Sequence, residues 1–247
     1  VSVLLLKLAA PLQSWGVASR FARRETQQYP SKSGVLGLIA AAQGRRRTDP
    51  IEEELSGLGF GVRIDQPGTL IRDFQVARSL DGGKQFPLSQ RYYIADAVFL
   101  AAVQGEQNLL QGIRDALLRP QFPLYLGRRS CPVTEPVVLG PVREGTLLET
   151  LSDTSTWQAT ERYRRGQPTV VQLALFLDRI QDEPEHRDPS HADTEDALGH
   201  RVRDVPIDFN PVRREYGWRT VVTEHIRVDN PAGKPDLHDP FSAFGGA

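Results

Sequence analysis

The sequence predicts an α+β protein, and three observations carry that reading. In the first half, apolar runs of strand length alternate with two segments of helical length, in the order β-α-β-β-α-β, the ferredoxin-like arrangement. A polar segment between two strand-like runs predicts a long β-hairpin. The second half holds further strand-like runs separated by Pro/Gly-rich and acidic connections, which predicts a smaller β-rich part. The chain is therefore divided into residues 1–132 and 133–247.

Residues 2–9 are apolar and too few for a helix, so they read as a central strand. APLQSWG, with Pro11 and Gly16 as punctuation, is a loop. Residues 17–30 are polar and basic. A helix is expected over 33–43, with Ser31 or Ser33 as its cap and Gly44 at its end. A short acidic helix at 50–57 leads into a strand at 59–64 (GFGVRI). Residues 71–77 and 91–103 read as two strands, and SLDGGKQFPLSQ between them as a mobile excursion. A second helix covers 106–118 and stops before Pro120, and LYL at 124–126 reads as a short strand. Beyond it, VTEPVVLGPV, PTVVQLALFLD and WRTVVTEHIRV read as strands. Residues 178–196 carry eight acids and two prolines and read as a solvated loop, and a Pro/Gly-rich tail starts at Asn230.

The formal net charge of −1 conceals an asymmetry: residues 1–132 carry +6 and residues 133–247 carry −7. The two halves are expected to meet different partners. One cysteine, Cys131, forms no internal disulfide, so a reducing, cytoplasmic setting is expected. No apolar run reaches the roughly 18 residues of a membrane helix, and no membrane partner is expected. The opening VSVLLLKLAA lacks a basic leading region and reads as a buried strand, not a signal peptide.

The stretch YPSKSGVLGLIAAAQGRRR places Lys32 and two serines at a helix start. A nucleotide-hydrolysing P-loop needs glycines ahead of the lysine, and Tyr29, Pro30 and Ser31 stand there instead. The helix start can still bind a phosphate through free amides. The alternative is that Ser33 only caps the helix and Lys32 is solvated. Gly34 and Gly37 each cost about 1 kcal/mol against alanine in a helix, which favours a close backbone approach there.

The basic set is larger: Arg20, Arg23, Arg24, Lys32, Arg45, Arg46, Arg47, Arg72, Arg78, Arg91, Arg128 and Arg129, with Trp15, Phe21, Tyr29, Tyr92 and Tyr93 interleaved. Arginine on phosphate and aromatic on base is how single-stranded nucleic acid is held. The run 45–47 also suits a solvated helix end. All five histidines lie at 186 or beyond, and the spacing of His186 and His191 matches no zinc pattern, so neither metal nor cofactor is expected. Cys131 reads as a small buried residue.

Five motifs in order, LAAPLQSWG, RFARRET, YPSKSGVLGLIAAAQG, LSQRYYIADAVF and YLGRRSCP, resemble the Cas-five family of the type I-E CRISPR surveillance complex, Cascade. The resemblance is strongest over residues 1–140, and RREYGWRTVV is similar to the family's closing strand. It implies an RNA-recognition-type first domain whose hairpin, here about residues 74–95, is a thumb. It also implies a role in antiviral defence: binding the 5′ handle of the crRNA and capping the backbone filament. The implied neighbours are a backbone subunit and the large PAM-reading subunit, with target DNA met indirectly. By motif, Gln13, Ser14 and Trp15 sit at the handle end, Lys32, Ser33 and Gly34 at a helix start facing RNA, and Arg128, Arg129 and Ser130 beside it. Arg20, Arg23, Arg24, Arg72, Arg78, Arg91 and Tyr92 complete the expected RNA-binding set. Relatives of another subtype cleave the guide with a tyrosine, a lysine and a histidine. The basic half has no histidine, so a non-catalytic binder is expected, with a metal-independent endoribonuclease as the alternative.

Overall fold

The computed structural model of the chain describes residues 1–16, 23–50, 53–179, 199–210 and 214–235. Strand β1 (Ser2–Ala9) is followed by two-residue strands β2 (Leu12–Gln13) and β3 (Arg23–Arg24), helix α1 (Lys32–Ala42) and the short α2 (Glu53–Ser56). Then come β4 (Gly59–Gln66), β5 (Thr69–Gln75), β6 (Ser89–Ala95), β7 (Val98–Gly105) and α3 (Gln107–Leu118). The remainder holds β8 (Arg143–Glu144), α4 (Leu147–Ser152), a 3-10 turn (Thr154–Thr156), α5 (Glu161–Arg165), β9 (Val170–Asp178), β10 (His200–Asp208) and β11 (Glu215–Asp229). The architecture is mostly sheet with few helices.

One large sheet has the order β10-β11-β9-β4-β7-β1-β8, and its pairings are antiparallel. It runs without a break across residue 132, because Gly61 of β4 faces Leu177 of β9. Gly61 is needed there: a Cβ would stand 2.8 Å from both the Leu151 and Leu177 side chains. The two faces of the sheet are used as period-2 alternation requires. Leu4, Leu6, Leu8, Phe99, Ala101 and Val103 pack under Val35, Leu36 and Ile39 of α1 and Leu110, Ile113 and Leu117 of α3. Val3, Leu5, Leu100 and Ala102 point the other way, onto Leu147 and Leu151 of α4.

The smaller sheet is built on β6, which pairs antiparallel with β5 along its length, antiparallel with β2 and parallel with β3. Beyond the β5–β6 ladder the hairpin continues through the Arg78–Gln85 bridge to a turn at Gly82.

The structure departs from the sequence reading at several places. The single strand expected at 91–103 is two strands in different sheets. Asp96 breaks it with φ +56 while its amide donates to the Pro11 carbonyl at 3.1 Å. Residues 124–126 form only an isolated Tyr125–Pro132 bridge, and the sheet edge beside β1 belongs to β8. VTEPVVLGPV is likewise no strand; it borrows a few ladder bonds, Lys7 N–H to the Val137 carbonyl and Leu139 N–H to the Leu5 carbonyl. Strand β10 lacks a strong apolar alternation, HRVRDVPID, and the sequence reading missed it; it forms by pairing with β11.

Candidate nucleic-acid interface

The three motifs at Gln13, Lys32 and Arg128 lie far apart in the chain and meet in space. The Ser14 amide donates to the Leu126 carbonyl at 3.1 Å. Gly127, at φ +89, lies so tightly on Ser14 that a Cβ would fall 1.7 Å from the Ser14 carbonyl oxygen. Gly34, in the first turn of α1, leaves room for the Trp15 indole, 2.8 Å from where a Cβ would stand. The glycine in that turn is thus accounted for by a tryptophan, which occupies the space a side chain would need.

Several residues expected to touch RNA hold this junction together. Gln13 is fully buried: its Nε2 donates to the Leu8 and Ala97 carbonyls at 3.0 and 2.8 Å, and its Oε1 accepts from Trp15 Nε1. Trp15 is 1% exposed and belongs to the core. Ser14 donates its hydroxyl to the Tyr92 carbonyl. Arg128 lies over the Tyr93 ring, 4.7 Å from its centroid, and donates to the carbonyls of Tyr92, Arg24 and Glu25. Ser130 is within 3.3 Å of the Tyr93 hydroxyl. Cys131 is buried, and burial pushes its thiol pKa up, which suits a core residue.

Lys32 is paired inside the protein. Its ammonium is buried and bonds Asp178 at 2.9 Å, and its amide donates to Asp204 at 2.7 Å. Arg219 completes the cluster, bidentate to Asp204 (2.6 and 2.9 Å) and 2.5 Å from Asp178. The paired carboxylates drive the Arg219 pKa upward against the effect of burial. Ser31, not Ser33, caps α1, accepting from the Gly34 amide; Ser33 is buried, 3.5 Å from the Ser31 hydroxyl. Asp178 and Asp204 escaped the sequence reading, Asp204 because it lies within β10, the strand that reading missed. Asp178 opens the acidic run that reads as solvated.

The α1 N-terminus and the Ser14–Gly127 junction form one wall of a cleft of about 570 Å³. Arg45, Arg46 and Arg47 line it, joined by Arg129 and by Arg214 from the far end of the chain. Tyr125, Tyr216, Phe122 and Phe209 supply its aromatic surface, and among the described residues no carboxylate side chain lines it. The arginines repel one another: burial first, then Arg214 and Arg129, hold the Arg47 pKa below its usual value. Among the described residues neither Arg47, Arg129 nor Arg214 forms an ion pair. Cations crowded as Arg47, Arg129 and Arg214 are form an arrangement that an anion relieves. Arg214 was missed in the sequence because nothing local links it to residues 45–47.

The other expected residues lie apart from this cleft. Arg23 and Arg24 sit exposed on β3 beside β6, with Arg23 over the Tyr92 ring at 5.5 Å. Tyr92 and Arg91 are half-buried on β6, and the buried Arg91 Nε has no partner among the described residues. Arg72 is exposed on β5 over Phe74, and Arg78 lies out along the hairpin. Arg20, His186 and His191 lie outside the described residues. Among the described residues no group of histidine, cysteine and carboxylate side chains has the geometry of a metal site, and no helix is long and apolar enough to cross a membrane.

The profile of the family described as CRISPR-associated protein (Cas_Cas5) matches residues 3–222. The chain is 33% identical over 158 residues to the CRISPR system Cascade subunit CasD of Escherichia coli (strain K12), covering 56% of this chain and 70% of that one. A solved structure titled as a CRISPR RNA-guided surveillance complex contains a chain that superposes with a TM-score of 0.69 at 28% identity, covering 98% of both. A crystal structure of a Cas protein superposes with a TM-score of 0.64 at 33% identity, covering 94% of this chain and 98% of the other.

Proposed function

Because the chain belongs to the Cas5 family of CRISPR-associated proteins, we propose that it is a non-catalytic subunit of a type I-E Cascade that holds the 5′ handle of the crRNA. On this reading it caps the backbone filament, meets the backbone and PAM-reading subunits, and works in the cytoplasm. The unit β4-β7-β1-β8 with α1 and α3 is then its ferredoxin-like, RNA-recognition-type part, and the β5–β6 hairpin its thumb. The observation that carries the proposal is the cleft: five arginines and four exposed or half-buried aromatics, with no lining carboxylate among the described residues. Guanidinium groups bind phosphate oxygens in pairs, and aromatic faces take bases without regard to sequence.

The alternative, RNA cleavage, has one pair of residues in its favour. The fold brings His200 Nε2 within 3.4 Å of the Tyr29 hydroxyl, a pairing invisible in the sequence. Two features oppose it. Burial raises the Tyr29 pKa, so its hydroxyl keeps its proton near neutral pH, and the nearby Lys32 ammonium is tied to Asp178. Incubation of the protein with labelled repeat RNA in chelator tests the choice. Binding of intact RNA supports the scaffold reading. Specific cleavage, abolished by His200→Ala, overturns it.

A further inference from the structure

A second hollow, of about 340 Å³, adjoins the basic cleft, and Ser31 lines both. Its other walls come from Tyr29, from His200, Arg201 and Arg203 on the edge strand β10, and from Trp218 on β11. Trp218 is 57% exposed, whereas Trp15 and Trp157 are 1% and 5% exposed. The register pairs Arg201 with Thr220, which makes Trp218 its diagonal neighbour on the same face. The Arg201 guanidinium accordingly lies over the indole, 5.0 Å from a ring centroid. Among the described residues the lining holds one carboxylate, Asp204, which is consumed by Arg219 and the Lys32 amide, so the hollow is left cationic.

We propose that this hollow is a nucleotide subsite: one base of a single-stranded RNA stacks on Trp218, and its flanking phosphate is held by Arg201 and Arg203. The proposal rests on the RNA-binding reading of the neighbouring cleft and extends that path by one defined position. Charge complementarity and continuity at Ser31 select the occupant. An indole held by a guanidinium and left open to solvent fits a flat, anionic partner, and a nucleotide supplies both properties. An acidic protein segment supplies only the charge.

The exposure pattern provides the assay. Trp218 is the one tryptophan of three that reaches solvent, so quenching of intrinsic fluorescence by RNA reports on this position. The experiment titrates the full chain, and its Trp218→Ala, Trp218→Phe and Arg46→Gln/Arg47→Gln variants, with handle RNA. The expected result is quenching in the wild type, loss of the quench in both Trp218 variants, and weaker binding by roughly 5- to 150-fold for alanine, the range for a lost stacked base. Phenylalanine recovers most of the affinity because its ring still stacks. Binding that Arg46→Gln/Arg47→Gln weakens but that Trp218→Ala leaves unchanged, without quenching, overturns the subsite and spares the cleft. A quench produced only by added Cascade proteins overturns it in favour of a protein contact. If the wild type binds no RNA, the cleft reading fails and the subsite falls with it.

Discussion

Replacing Lys32 with alanine separates two roles that its sequence position suggests equally well. In the fold its ammonium is 7% exposed and bonds an Asp178 carboxylate that is 11% exposed. Asp178 keeps two other partners after the substitution, Arg219 and the Phe60 amide at 3.0 Å, so the site is weakened rather than orphaned. Losing one hydrogen bond between charged groups costs about 1.5–3 kcal/mol. For a chain of this size that lowers Tm by roughly 3–12 °C. Arg219→Ala is the internal standard: it strips Asp204 of its bidentate partner and costs about 3–5 kcal/mol, the range for breaking a buried pair. Thermal unfolding followed by circular dichroism reads both, and RNA titration below the transition reads affinity. The expected order of destabilisation is Arg219→Ala, then Lys32→Ala, with RNA affinity of folded Lys32→Ala within about threefold of wild type. An unchanged Tm together with a large loss of affinity refutes the reasoning, since it means that the ammonium leaves Asp178 for a phosphate.

Arg128 and Arg129 are adjacent yet divide the same way: Arg128→Ala lowers Tm because three backbone carbonyls lose a donor, while Arg129→Ala leaves Tm unchanged and weakens RNA binding in a filter assay. Gly127→Ala, with a Cβ 1.7 Å from the Ser14 carbonyl and φ at +89, gives a chain that recovers poorly from expression or melts well below wild type. The capping box of α4 supplies a pH test. Glu149 accepts from the Thr146 amide and hydroxyl, which hold its pKa below the usual 4.5. Its contribution is complete above pH 4.5 and is lost as the pH falls through the lowered value. The Tm gap between wild type and Glu149→Gln therefore narrows as melts are moved from pH 7 toward pH 3.

The parts of the fold legible in the sequence are those in which local pattern and burial agree. Residues 2–9, 33–43 and 106–118 lie within a residue or two of β1, α1 and α3, because residues 2–9 form an apolar run too short for a helix and the two helical segments have a serine cap, Gly44 or Pro120 at their ends. Asp96 defeated the same logic, since nothing in YYIADAVF marks a carboxylate forced to positive φ at the crossing of two sheets. The site was legible as motifs but not as roles. Trp15 and Gln13 look like surface recognition residues in a polar loop, and only the approach of Gly34 and Ala97 puts them inside. Conversely, the run 45–47 looks like a solvated helix end. Its meaning comes from Arg129 and Arg214, which long-range folding brings to the same cleft. Arg63 shows the limit most plainly: it is fully buried on β4, satisfied by Asp65, Thr156 and two carbonyls, and no periodicity reveals such a network.

The central claim is that the arginine cleft neutralises RNA phosphates, and the salt dependence of binding measures this directly. For single-stranded RNA the slope of log affinity against log salt is about −0.7 per phosphate neutralised. The triple variant Arg46→Gln/Arg47→Gln/Arg129→Gln is predicted to make that slope shallower by about 2, with Tm unchanged or raised as the mutual repulsion is relieved. A triple variant that keeps the wild-type slope and affinity for handle RNA contradicts the account.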